Sequence, residues 1–321
     1  MSAFRTKIEL QESSFRISHK SRILLNGSCF TDTIGQKMQK LLFPVRINPF
    51  GVVYNPISIL NGLGILLDED YYTEDDLLFH NELWFSWDHH SSFSGTVKEN
   101  CLNHINEEIK TSSKHLKKAD YLLITFGTAW IYRLKKTGEI VSNCHKLPEK
   151  EFERLLLKPK DIVKSWTVFI QELLGKNKKL KIIFTVSPVR HWKDGAHGNQ
   201  ISKSILLLAI DEICKAFPDN TDYFPAYEIM MDDLRDYRFY ADDLLHPNTQ
   251  AVNYIWEIFQ KCYFDKSSLE INKEVEKITL AMNHRVYNED TDAHRKFREK
   301  LAIQTRVLAK KYPFLNFKNI L

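Results

Sequence analysis

Three short apolar runs, RILL (22–25), YLLITF (121–126) and KIIFTV (181–186), are bounded by polar residues and separated by stretches of helical periodicity. Strands buried on both faces read as unbroken apolar runs of this kind, and a chain that alternates them with helices builds a parallel sheet with helices on its faces. Helices are expected over FTDTIGQKMQKLLF, with Thr31 or Asp32 as N-cap, and over NPISILNGLGILL and NCLNHINEEIKTSSKHL. Another is expected over PKDIVKSWTVFIQELLGKN, with Pro159 in its first turn and Gly175 near its end. The helix NQISKSILLLAIDEICKAF, a further strand around TDYFPAYEI and the helix NTQAVNYIWEIFQKCYF then complete an α/β domain over residues 1–264. Two amphipathic helices, in SSLEINKEVEKITLAMNH and EDTDAHRKFREKLAIQTRVLAKKYP, make residues 265–321 a helical appendage.

With 43% hydrophobic residues among 321, the chain can bury a large core. A net charge of +4, from 45 basic and 41 acidic side chains, is too small to call for a nucleic-acid partner. No segment approaches the roughly 20 apolar residues of a membrane span, and the first thirty residues hold no apolar core of a signal peptide. The cysteines at 29, 101, 144, 214 and 262 are widely spaced and odd in number, so reduced thiols and a cytoplasmic protein are expected. His89, His90, His145, His191 and His197 show no tight ligand spacing, and no metal or other cofactor is expected.

Each apolar run ends in polar residues: NGSCF, GTAW and SPVRHW. In a parallel sheet these open onto one edge, where α/β proteins bind ligands. Further on, YADDLLHPNTQ places Asp243 three residues before His246. A serine needs a base within hydrogen-bond reach, and that base needs a carboxylate to fix its tautomer; Ser28, His246 and Asp243 can fill these roles. Gly27 permits a tight turn before Ser28, and the Ser28 amide at a helix N-terminus favours a developing oxyanion. Cys29 is a second candidate nucleophile, but is expected to turn into the core. Asp242 competes with Asp243 as the carboxylate.

A Gly-Ser after the first strand and a late D-x-x-H resemble the SGNH, or GDSL-like, hydrolases. NGSCF followed in order by NPFGVVYNP, NCHKLP, SPVRHWKDG and DYRFYADDLLHPN resembles, more narrowly, the GSCFA family, over roughly residues 22–260. The resemblance implies a flavodoxin-like three-layer α/β/α fold, the Ser28, Asp243, His246 triad and an esterase-type activity. It also implies further oxyanion donors: Gly51 matches the glycine of the second block, whereas Ala129 stands where an asparagine is expected, so either Thr128 or another polar group substitutes or the protein is a weak catalyst. Arg190 and His191, in the loop after the third strand, are expected to contact a polar or anionic substrate. Asn143, Cys144 and His145 also match the family pattern, without a role that follows from their chemistry. The aromatic run LWFSWDHH is read as core.

Three functions fit these residues. The first is a serine hydrolase removing an acetyl or other small acyl group from a sugar or cell-envelope precursor, a small-molecule or glycan ester. The second is an acyltransferase using the same triad. The third is a weakly catalytic protein that binds a glycan or acylated metabolite.

Overall fold

The computed structural model describes residues 5–282 and 291–317. Strand β1 (Ile23–Gly27) leads into α1 (Cys29–Lys40), then β2 (Val45–Ile47) and α2 (Pro56–Asp68). A hairpin of β3 (Leu78–His80) and β4 (Leu83–Phe85) precedes α3 (Lys98–Leu116) and β5 (Tyr121–Phe126). An antiparallel sheet of β6 (Trp130–Leu134), β7 (Ile140–Val141) and β8 (Phe152–Leu156) follows. The described chain continues through α4 (Pro159–Lys176), β9 (Lys181–Val186), α5 (Gly195–Ala216), β10 (Thr221–Phe224) and a helical turn, α6 (Ala226–Glu228). It closes with α7 (Thr249–Tyr263), α8 (Lys266–Met282) and α9 (Asp292–Lys311). The stretch 283–290, on which both C-terminal helix expectations impinge, lies outside the described residues.

The main sheet runs β10-β9-β5-β1-β2, with every pairing parallel. This is the flavodoxin-like order, and its direction reverses between β1 and β5, where such sheets open a crevice at their carboxyl ends. Register brings the ends level, Gly27 beside Thr125 and Thr125 beside Thr185. The three expected strands therefore do deliver their terminal loops to one edge.

Alternate residues divide between two cores although each strand reads as a continuous apolar run. Leu24, Leu122, Ile124 and Phe184 join Leu63, Ile105, Trp166 and Ile210 of α2, α3, α4 and α5. Ile23, Leu25, Leu123 and Ile183 join Phe30, Met38, Ile255 and Phe259 of α1 and α7. Ile271 and Val275 of α8 and Leu301 and Leu308 of α9 belong to this second core as well. The result is the expected three-layer α/β/α fold carrying C-terminal helices.

Helix α1 starts earlier than expected. Ser28, not Thr31 or Asp32, is its N-cap, because the Thr31 N–H already turns back onto Ser28 O at 2.8 Å. The short strand β2, the β3–β4 hairpin and the β6–β8 sheet are additions that apolar runs do not announce.

Candidate active site

Gly27 sits at φ +150, and a Cβ there would lie 2.8 Å from Thr31 Oγ1 and closer still to Thr125 O. Glycine is needed because β5 approaches β1 so closely where the chain turns. The Gly27 N–H donates to Asn48 Oδ1 at 2.8 Å, and Asn48 Nδ2 donates to Asp32 Oδ1 at 2.5 Å. Ser28 follows in extended conformation, 1% exposed, and its hydroxyl does not cap the helix. Ser28 Oγ has no hydrogen-bond partner among the described residues. The hydroxyl is thus not spent on holding the helix end, as a capping serine's would be.

The loop before α7 delivers the carboxylate and the imidazole together. Asp243 Oδ1 accepts the N–H groups of Leu245 and His246, both at 2.9 Å, and Oδ2 lies 2.5 Å from His246 Nδ1. These bonds, the backbone ones first, hold the Asp243 carboxyl down at about 2. Leu244 adopts φ +58 to make the turn. Arg190 N–H donates to Leu245 O at 3.3 Å, and Asn248 Nδ2 donates to Arg238 O at 2.6 Å, which ties the loop down on both sides. Asp243 rather than Asp242 is the carboxylate that meets His246.

Ser28, Cys29, Thr128, Arg190, His191 and His246 line one cavity of about 650 Å³. No hydrogen bond joins Ser28 to His246, so two of the three groups of the expected triad are linked and the third faces them across the cleft. Arg190, Trp192 and Leu245 also line an adjoining cavity of about 480 Å³ that includes Asp243.

The expected oxyanion donors are placed unevenly. Gly51, at φ +73 against His90, donates its N–H to Asn48 O at 2.8 Å and does not line the cavity. The N–H groups of Gly127 and Thr128 both bond Tyr54 O, at 2.7 and 3.1 Å. Thr128 presents its side chain instead, 3.1 Å from Ser202 Oγ, while Ala129 is fully buried.

Cys29 is only partly buried and lines the cavity, contrary to the expectation that it joins the core. Ser28 rather than Thr31 or Asp32 occupies the cap, so the helix begins at Cys29 itself, whose side chain lines the cleft. Burial raises the Cys29 thiol, which disfavours the thiolate that nucleophilic attack needs. His191 Nε2 is buried without a partner, and burial, then the charges of Lys203 and His246, lower this histidine to about 4. It is neutral at pH 7. The Arg190 guanidinium lies 5.0 Å from the Trp192 ring centre, while the neighbouring cation Arg154 is held by Asp194. Arg190 has no such carboxylate partner among the described residues.

Two further groups brace or border the cleft. His89 stacks on Phe50 at 4.4 Å with Nδ1 2.6 Å from Ser86 Oγ, behind the loop that carries Gly51. Lys203 is buried beneath the strand ends; its spacing from Asn199, Leu206 and Ile210 on one face of α5 was a signal available in the sequence. Among the described residues no group of three histidines, cysteines or acids is arranged to hold a metal ion.

The model of the GSCFA family matches residues 22–259, and that of the GSCFA domain protein C-terminal domain matches residues 275–321. The chain belongs to the GSCFA family. None of the curated proteins matches this GSCFA chain. Solved structures similar to this GSCFA protein include an acetyl xylan esterase, Est2A, from the rumen bacterium Butyrivibrio proteoclasticus. It shares 10% identity at a TM-score of 0.36, covering 78% of this chain and 64% of that one. Another, named a putative acylhydrolase, is from Bacteroides fragilis, with 10% identity and a TM-score of 0.39 over 81% of this chain and 91% of that one.

Proposed function

We propose that this GSCFA protein is a serine-dependent acyl hydrolase of the SGNH type. The observation that carries the reading is the pairing of a buried, uncapped and unpartnered Ser28 hydroxyl with a His246 whose Nδ1 is held by Asp243, both facing one cavity. Ser28 Oγ attacks the ester carbonyl as His246 Nε2 takes its proton; His246 then returns that proton to the leaving alcohol. Water repeats the sequence and frees the acid. Asp243 fixes the tautomer that keeps Nε2 available. The cycle requires a hydrogen bond between Ser28 Oγ and His246 Nε2 to form when substrate binds.

The substrate we propose is a small acyl ester of a sugar or cell-envelope-related metabolite. Tyr54, Trp130 and Tyr132 give the cavity flat aromatic faces beside Asn55 and Asn143, a combination suited to a polyol. Arg190 and neutral His191 supply contacts for a polar or anionic substituent. With its cysteines free and no described helix long and apolar enough to cross a membrane, the cytoplasm is the proposed site of action. Residues 265–321 are proposed as a helical extension of the hydrolase domain.

The unformed Ser–His bond and Ala129 in place of an asparagine favour one second reading, a weakly catalytic binder of acylated metabolites in the same cleft. Incubation with a fluorophosphonate, followed by peptide mass spectrometry, separates the two. A covalent adduct on Ser28, lost in Ser28→Ala and strongly slowed in His246→Ala, supports the hydrolase. An unlabelled, folded wild-type protein favours the binder. Partition of the acyl group between water and an added sugar alcohol distinguishes hydrolase from acyltransferase.

A further inference from the structure

Lys203 is 1% exposed. Its Nζ donates to Gly127 O at 2.7 Å and to Ser187 O at 2.8 Å, the residues that directly follow β5 and β9. The Tyr227 ring centre lies 5.4 Å from the same nitrogen. The charged and titratable groups that face it are Cys29 from α1, Arg190 and His191 from the loop after β9, and Tyr227 from α6. No carboxylate is among them. A lone ammonium in such a place is strongly unfavourable, and a leucine or methionine would satisfy the core.

We propose that Lys203 is a positioning residue of this site: its ammonium, clamped between two strand-end carbonyls behind the cleft, supplies the positive field that stabilises negative charge developing beside Ser28. The proposal rests on Ser28 being the nucleophile. It accounts for the oxyanion donors expected beyond the Ser28 amide, since Ala129 has no side-chain amide and the N–H groups of Gly51, Gly127 and Thr128 are all engaged by backbone carbonyls. The field already acts on the residue next to Ser28, because the Lys203 charge favours the thiolate of Cys29.

Deprotonation of Lys203 separates charge from structure. A neutral amine keeps two N–H groups, one for each carbonyl, so the strand ends stay tied when the proton leaves. Burial lowers Lys203 to about 7. The charge is therefore present below neutrality and lost above it, and the rate must fall as pH rises through that value.

The test is the rate of Ser28 labelling by a fluorophosphonate and of 4-nitrophenyl acetate hydrolysis, from pH 6 to 9, for wild type, Lys203→Met and Lys203→Arg. The wild-type rate is expected to decline on the alkaline side of neutrality. Lys203→Met is expected to lose about 10²-fold in kcat at pH 6 with KM little changed, and to lose the alkaline decline. Lys203→Arg should recover rate and stay active to pH 9, because its charge does not titrate there. A wild-type rate that stays level to pH 9 overturns the proposal when the Lys203→Met rate matches it. So does a folded Lys203→Met enzyme with the wild-type profile, or equal losses in both variants with the alkaline decline intact. If the wild type is neither labelled nor active, the hydrolase reading itself fails and this inference falls with it.

Discussion

Asn48 accepts the Gly27 N–H on its side-chain oxygen at 2.8 Å, one residue before the candidate nucleophile. The same side chain donates to Asp32 in the first turn of α1, so a single amide fixes both the end of β1 and the start of the helix that carries Ser28. Asn48 is 7% exposed, and its own backbone adopts φ +43, which asparagine tolerates better than most residues. Asn48→Ala leaves the Gly27 N–H and the Asp32 carboxylate without this partner. A loss of about 1–3 kcal/mol in urea unfolding is expected, together with slower fluorophosphonate labelling in the folded fraction. Unchanged labelling would show that the turn holds its shape without the amide.

Ser28→Ala is expected to move stability and function in opposite directions. A capping serine replaced by alanine costs about 1 kcal/mol. Here the hydroxyl caps nothing and is buried unpaired, so the substitution should be neutral or stabilising by up to about 1 kcal/mol while the covalent adduct disappears. Thermal unfolding of the two proteins reads the sign directly; a clear destabilisation would mean that the hydroxyl has a structural partner.

Asp243→Asn should preserve the turn and damage the chemistry. The asparagine oxygen can still accept the Leu245 and His246 N–H groups, but its amide then meets Nδ1 and forces the wrong imidazole tautomer. A loss on the order of 10³–10⁴ in kcat is expected with circular dichroism unchanged. Because the wild-type carboxyl is depressed to about 2, Asp243 stays ionised down to that pH; its contribution to stability is present above the ordinary carboxylate value of 3.8 and is lost as pH falls toward about 2. A wild-type rate that declines between pH 7 and 5 must therefore have another cause than Asp243, and the slope of the Asp243→Asn profile in that window should match it.

Gly27→Ala should be severe. The added methyl meets the Thr125 carbonyl and Thr31 in a backbone conformation that L residues rarely adopt, so β1 and β5 must separate where their ends define the cleft. About 2 kcal/mol or more of destabilisation is expected from denaturant midpoints, with loss of Ser28 labelling. A fully stable, fully labelled variant would show that the close approach of β5 is dispensable.

Much of the fold was readable because Ile23–Gly27, Tyr121–Phe126 and Lys181–Val186 are buried on both faces, which leaves an unbroken apolar signature. Val45–Ile47, half-buried at the sheet edge, and the two-residue strand Ile140–Val141 carry no such pattern. Asp243 and His246 were legible because one loop supplies both. What their spacing does not encode is the distance to Ser28, which depends on how a separate loop settles over the sheet edge. The setting of Cys29 was misread since its side chain follows from the helix start, which lies three or four residues before the expected cap. Lys203 could have been noticed as a charge on an otherwise apolar helix face, but its carbonyl partners, Gly127 and Ser187, follow two different strands that only the folded sheet brings together.

The core that supports α1 gathers Phe15 and Ile17 with Leu315 and Phe317, so residues near opposite ends of the described chain complete the same apolar cluster. Contacts this distant in sequence form late, after loop closure has been met by nearer pairings. During synthesis the sheet and the helix bearing Ser28 emerge long before their cover, and one face of that helix waits open. The packing behind the serine's helix is thus closed by segments that chain connectivity keeps far apart, and its rigidity depends on both of them being docked.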